Sequence, residues 1–152
     1  MKKIKMFLAA LMIVAISQPA SANIIFDNDE RQIEFSELPA KAKEFVKKNF
    51  PNEELSLVIL DSGLISNEYD VIFTSGLKLE FKGDGEWETI KCRQSEVPAK
   101  LVPAQIADLV AKKYASTKIV ELKREHNEWE VKLSNGLELT FDKQFKLIDI
   151  DD

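Results

Sequence analysis

The stretch Trp129-Glu130-Val131-Lys132-Leu133-Ser134-Asn135-Gly136-Leu137-Glu138-Leu139-Thr140-Phe141-Asp142 decides the fold of this chain. Apolar and polar residues alternate on both sides of Asn135-Gly136, and a period of two is typical of half-buried strands. Asn-Gly between two such runs predicts a β-hairpin, because a type I′ turn needs two residues that tolerate positive φ. The stretch therefore predicts two antiparallel strands that share one apolar face.

The same pattern occurs earlier in the chain, at 69–82, and each copy follows a helical pattern that begins at a proline, Pro39 or Pro103. The apolar face of the first helix consists of Leu38, Ala42, Phe45, Val46 and Phe50, and that of the second consists of Val102, Ile106, Leu109, Val110 and Tyr114. Spacings of three and four residues indicate one helix face. The offset between copies is 64 for the helices and 60 for the hairpins. Repeat one therefore carries four extra residues, which we assign to a loop at 61–67.

These patterns predict an α+β fold, a tandem repeat of one helix plus a four-stranded antiparallel meander. The strands are expected at 55–60, 69–74, 77–82 and 86–92, and again at about 118–124, 128–133, 137–142 and 145–150. Helices are expected on one sheet face, which leaves the other polar and solvated. The residues expected there are Asp70, Ile72, Thr74, Lys78, Glu80, Lys82, Glu130, Lys132, Glu138, Thr140 and Asp142. The repeats can join edge to edge or pack their helices together, because lone meanders leave sheet edges open.

The N-terminal segment has the three parts of a secretory signal peptide. Lys2, Lys3 and Lys5 are basic, the segment 6–16 is uninterruptedly apolar, and Ala20-Ser21-Ala22 offers small residues for cleavage. A membrane span needs about 20 apolar residues and this run is much shorter, so we expect cleavage and no membrane insertion afterwards. The expected organisation is a signal peptide at 1–22, an N-terminal arm at 23–37, repeat one at 38–92, a linker at 93–101 and repeat two at 102–152.

The expected mature chain is acidic. Loss of the three signal lysines leaves 18 basic residues against 26 acidic ones, a net charge of −8. Such a chain repels phosphate backbones and anionic lipid surfaces, which argues against a nucleic-acid partner. Export to the periplasm or beyond, and another exported protein as partner, are the expectations that remain.

Residues that could perform catalysis are scarce. Cys92 is the single cysteine and His126 the single histidine, so an internal disulfide and a zinc site of several nitrogen or sulfur ligands are not expected. We expect Cys92 to be buried and His126 to lie exposed in a tight turn. The acidic residues Asp27, Asp29 and Glu30 lack the glycine and distal glutamate of an EF-hand loop. We therefore expect a non-enzymatic protein with no catalytic residue, metal or cofactor.

Four apolar side chains are the candidates for contact with a partner: Leu64, Ile65, Ile72 and Trp87. Leu64 and Ile65 lie in the extra loop of repeat one, and Ile72 interrupts the polar sheet face. Trp87 and Ile90 are three residues apart, so a regular strand would place them on opposite faces. Either a β-bulge restores both to the core, or Trp87 faces outward and joins Ile72 as a binding hot spot.

The repeated motifs resemble the PepSY-like family of exported bacterial proteins. The residues that carry this resemblance are Leu38-Pro39, Tyr69, Val71, Gly76, Phe81, Gly85 and Trp87 in repeat one, and Val102-Pro103, Trp129, Val131, Gly136 and Phe141 in repeat two. That family is similar in fold to the β-lactamase inhibitory protein, which grips an enzyme with its sheet face. The resemblance implies a protein-binding or inhibitor-like module that acts through the open sheet face. A small-molecule or peptide carrier with a cleft between the repeats, and a cell-envelope structural protein, are the alternatives.

Overall fold

The computed structural model describes residues 29–152, which form one nine-stranded antiparallel sheet whose strands follow one another in chain order. The elements are β1 (Glu30–Gln32), α1 (Ala40–Asn49), β2 (Leu55–Ser62), β3 (Asn67–Phe73), β4 (Leu77–Lys82), β5 (Trp87–Cys92), α2 (Ala104–Lys113), β6 (Ile119–Arg124), β7 (Glu128–Leu133), β8 (Glu138–Asp142) and β9 (Leu147–Asp151). Short 3₁₀ turns at Phe35–Glu37 and Ala99–Leu101 precede the helices. The predicted signal peptide lies outside the described residues.

Each helix buries the face that the sequence predicts. Ala42 and Val46 of α1, and Ile106 and Val110 of α2, are buried in a core shared with the strands. Both helices begin directly after a proline, whose missing N–H is no loss in the first turn. The last turn of each helix contains lysines, whose positive charges interact favourably with the negative end of the helix dipole.

The two repeats join edge to edge, which settles the alternative that the sequence leaves open. Strand β5 of repeat one pairs with β6 of repeat two, with Thr89 opposite Lys123 and Ile90 opposite Leu122. Ile90 and Leu122 are both fully buried, so the core crosses this junction without interruption. The predicted α+β tandem fold is confirmed, with both helices on the same face of a single sheet.

The four extra residues of repeat one lengthen a hairpin. Strand β2 continues to Ser62 and β3 begins at Asn67, so the loop is shorter than predicted and covers only 63–66. The added length of β2 pairs with β1, where Glu30 lies opposite Asp61. The N-terminal arm thus contributes the first edge strand of the sheet.

Candidate functional site

The tip of the β2–β3 hairpin presents two neighbouring apolar side chains to solvent. Leu64 and Ile65 have relative exposures of 106% and 99%, the highest among the large apolar side chains of residues 29–152. The equivalent hairpin of repeat two turns through 125–127 and has no counterpart to them. Isolated apolar residues are common on protein surfaces, but an adjacent exposed pair on a projecting turn forms a small apolar surface.

Ile72 lies on the open face of the sheet, among charged residues. It stands opposite Lys78, whose ammonium lies 2.8 Å from Asp70 and 2.8 Å from Glu80. Burial raises the pKa of Asp70 in spite of the Lys78 ammonium. Burial favours a higher pKa for Glu80 as well, but its pKa is lowered overall, and the hydrogen bond that Lys78 donates contributes to this decrease. The charges around Ile72 are therefore paired within the molecule.

Trp87 does not join Ile72 on the open face. A bulge shifts the register of β4 and β5, so that Glu80 is opposite Thr89 while Phe81 is opposite Trp87. This shift turns Trp87 towards the helices and leaves Ile90 in the core. Repeat two has the same irregularity, after which Leu147 stands opposite Phe141. The bulge alternative is the one that holds, and the four sequence candidates do not form one surface.

Trp87 belongs to a row of half-buried aromatic rings on the helix side. Its ring stacks on Phe45 at 5.7 Å between centroids and meets Trp129 at 6.1 Å, and Trp129 contacts Phe145 at 5.8 Å. Phe145 takes a positive φ of 60°, at the position that Gly85 occupies in repeat one. A bulky residue in this conformation is strained. These aromatic residues come from α1, β5, β7 and the β8–β9 turn, and no local pattern in the sequence indicates that they meet.

Arg124 connects the two repeats beside this row of aromatic rings. Its guanidinium lies 4.3 Å from the Trp87 ring centroid, donates a hydrogen bond to the Trp87 carbonyl oxygen at 2.7 Å and pairs with Glu86 at 2.7 Å. Glu86 also accepts a hydrogen bond from Lys41 of α1 at 3.0 Å. Together Lys41 and Arg124 lower the pKa of Glu86. Arg124 occupies the position of Leu60 in repeat one. Comparison of the two repeats therefore shows only that a polar residue replaces an apolar one at this position.

A groove of about 490 Å³ runs between α1 and the linker. Phe45, Trp87 and Leu101 give it apolar walls, and its rim carries three lysines and two carboxylates, Lys41, Lys48, Lys100, Glu44 and Glu86. Its lining comes from repeat one and the linker and includes no residue of repeat two, so it differs from the cleft between the repeats that the carrier alternative predicts. It is open to solvent, and the two carboxylates offset most of the positive charge of its rim.

The two side chains with reactive chemistry lie apart from these surfaces. Cys92 is buried, as predicted, and burial raises the pKa of its thiol. His126 is exposed in the β6–β7 turn, also as predicted. Within residues 29–152 no three His, Cys, Asp or Glu side chains stand close enough to hold a metal ion. No helix in this part of the chain has the length and apolar character to cross a membrane.

Comparison with known proteins identifies the fold. Residues 67–149 match the family described as "Putative beta-lactamase-inhibitor-like, PepSY-like". A "putative periplasmic protein" from Bacteroides vulgatus ATCC 8482 is 39% identical, over 84% of this chain and 100% of that one, with a TM-score of 0.78. No curated protein matches.

Two further solved structures are similar. A "putative calcium-regulated periplasmic protein" from Bacteroides thetaiotaomicron is 38% identical, over 82% of this chain and 98% of that one, with a TM-score of 0.79. A second protein from Bacteroides vulgatus ATCC 8482, described as "of unknown function", is 29% identical, over 81% of this chain and 99% of that one, with a TM-score of 0.77. With more than half of its length matched by the family model, the chain belongs to the PepSY-like, β-lactamase-inhibitor-like family.

Proposed function

We propose that the protein is a periplasmic, non-enzymatic module that binds another exported protein through the tip of the β2–β3 hairpin. The observation that carries the proposal is the complete exposure of Leu64 and Ile65. Similar solved proteins are described as periplasmic, and the sequence carries a signal-like segment, both of which support export. Inhibition of an enzyme is the form of binding that the family's description suggests.

The hairpin tip suits a protein partner because it is apolar and held by a sheet. Strand β1 pairs along the outer side of β2, and the backbone N–H of Ser62 donates to Asp29 at 2.9 Å, just before the turn. A contact on such a pre-formed hairpin loses little conformational entropy when it binds. Burial of these two side chains in a partner's pocket would remove apolar surface from water, which is the dominant favourable contribution in most protein–protein association. Ile72 and the paired charges of the open sheet face would add orientation rather than affinity.

A carrier function is the second candidate, because the groove between α1 and the linker has an aromatic wall and two lysines, Lys48 and Lys100, besides the paired Lys41 and Glu86 and the carboxylate of Glu44. Its ligand would be a small anion with an apolar part. Native mass spectrometry of protein purified from periplasmic extract would detect such a ligand, and Lys48→Ala with Lys100→Ala should release it. The calcium named for one relative has no such support here, since no three-residue acidic site exists within residues 29–152.

The binding proposal is tested by capture from periplasmic extract with residues 23–152 as bait. The variant that carries Leu64→Ser and Ile65→Ser should keep the wild-type melting temperature and lose the captured partner. A control carries Leu55→Ser, which removes a partly exposed apolar side chain at the end of β2 away from the hairpin tip. The control should retain the partner. Retention by the hairpin variant would refute the proposed surface, and loss by the control alone would place the contact at the start of β2.

A further inference from the structure

The two edges of the sheet differ in how they meet solvent. Strand β1 is only three residues long and reads Glu-Arg-Gln, which are features that protect an edge from pairing with other strands. Strand β9 at the other edge has five residues, and Ile148 and Ile150 are 51% and 49% exposed. Among residues 29–152, β9 pairs with β8 alone, so its outer row of backbone N–H and C=O groups is open.

Repeat one shows how the strand equivalent to β9 accepts a neighbouring strand. The counterpart of β9 in repeat one is β5, and β6 covers β5 in antiparallel register. Lys91 of β5 stands opposite Lys78 of β4, a like-charge pair on the open face. Lys78 is already paired with Asp70 and Glu80, and the incoming β6 brings Glu121 to 3.1 Å from the ammonium of Lys91, the member of the pair that remains. The junction thus provides a template for a strand seated on β9.

The charges of this template are reversed in β9. Asp149, Ile150 and Asp151 stand where β5 has Thr89, Ile90 and Lys91. Asp151 lies opposite Glu138 of β8, so this like-charge pair is acidic, and Lys132, 3.8 Å from Glu138, pairs with only one of its members. Asp149 and Asp151 are both exposed. A strand that covers β9 would compensate them with cations opposite Asp149 and Asp151. Between the cations it would place an apolar residue opposite Ile150, as Leu122 stands opposite Ile90.

We infer that β9 is a docking edge for an extended segment of another protein, added as an antiparallel strand, with a basic–apolar–basic pattern at its centre. Backbone hydrogen bonds give such an added strand its affinity and alternate side chains give it specificity. The net negative charge of the mature chain also attracts a basic segment over longer range. This edge lies roughly 30 Å from the β2–β3 hairpin, at about 4.8 Å per strand, so the inference does not depend on the proposed hairpin contact.

A second copy of the chain fits this edge poorly. Antiparallel pairing of two β9 strands sets aspartate against aspartate in the registers centred on Asp149 and on Ile150, whereas the register centred on Ile148 avoids this but leaves Asp149 and Asp151 opposite apolar residues. Like charges directly opposite one another destabilise a strand pair. The aspartates therefore favour a basic strand and oppose self-association.

The test uses residues 23–152 and three fluorescent seven-residue peptides. The first has lysine, isoleucine and lysine at its centre, the second has glutamate at both lysine positions, and the third is the first with alternate backbone N–H groups methylated. We expect the lysine peptide to bind with perturbed β9 amide resonances, and its affinity to fall with added salt. The affinity of the glutamate peptide should be lower by about tenfold or more, and the methylated peptide should not bind.

A charge-swapped protein makes the test specific to the edge. The variant with Asp149→Lys and Asp151→Lys should prefer the glutamate peptide. The control with Glu96→Lys and Asp108→Lys has the same net charge, alters exposed sites away from β9 and should keep the wild-type preference. Equal binding of the lysine and glutamate peptides, an equal effect of both protein variants, or dimerisation of the wild type through β9 would overturn the inference. The Leu64→Ser and Ile65→Ser variant should bind the lysine peptide normally.

Discussion

Replacement of Arg124 by alanine removes the side chain that joins the two repeats on the helix side of the sheet. Arg124 ends β6, and its guanidinium reaches back across β5 to the carbonyl oxygen and the ring of Trp87. The same group pairs with Glu86, which also contacts Lys41 of α1. The substitution therefore breaks contacts between repeat two, the start of β5 and, indirectly, the first helix.

The expected loss of stability follows from these contacts. A hydrogen bond from a charged donor contributes about 1.5 to 3 kcal/mol, and the lower end applies to this half-exposed site. A cation–π contact adds about 0.5 to 1 kcal/mol, and an exposed ion pair adds less than about 1 kcal/mol. The contributions are not additive, so we expect Arg124→Ala to lower the free energy of unfolding by about 2 to 3 kcal/mol.

The assay is urea unfolding of residues 23–152, followed by far-ultraviolet circular dichroism. The matched control is Lys123→Ala, which removes the same charge from the preceding residue, on the open face, where Lys123 pairs with Glu125 and Glu130. We expect the control to lower the free energy of unfolding by about 1 kcal/mol or less. Arg124→Lys should fall between the two, since an ammonium lacks the planar fork of arginine. Equal unfolding midpoints for Arg124→Ala and Lys123→Ala would refute the role of this junction.

Three further predictions concern the backbone, the thiol and the N-terminus. Gly136→Ala should lower the free energy of unfolding by about 1 to 2 kcal/mol, because a residue with a side chain is strained at the φ of 98°. No steric clash adds to this strain, since no atom lies within contact distance of the added Cβ. Gly85→Ala should lower the free energy of unfolding by about 3 kcal/mol in the same urea assay, since the added Cβ would also lie 2.8 Å from Pro39 Cβ. Equal losses for the two variants would contradict the close packing of α1 against Gly85. Cys92 should react slowly with thiol reagents at pH 8 in the native state and rapidly in urea, because burial raises the pKa of its thiol. Reducing agent should leave the melting temperature unchanged, and a large drop would instead reveal a disulfide between chains. Intact mass of the exported protein should correspond to a chain that begins at Asn23, and retention of 1–22 would contradict the predicted cleavage.

The sequence by itself determined the local elements and their repetition. Alternation around Gly76 and Gly136 specified both hairpins, because a strand with one buried face needs a period of two. The change of offset between Phe50 and Tyr69 located the four added residues, and the structure places them in the β2–β3 hairpin. The family could also be recognised, since its motif residues are those that the turns and the core require.

The tertiary structure alone decided how these elements meet. Alternation assigns a face to each residue but not a neighbour to each strand, so the pairing of β5 with β6 was open until the edges were seen together. The spacing of Trp87 and Ile90 fits either a bulge or two faces, and contact with Phe45 is available only through the bulge. Arg124 acquires its role because β5 lies beside β6, which brings together groups 37 and 38 residues apart. Such contacts depend on the register between distant segments, and no local pattern in the sequence encodes that register.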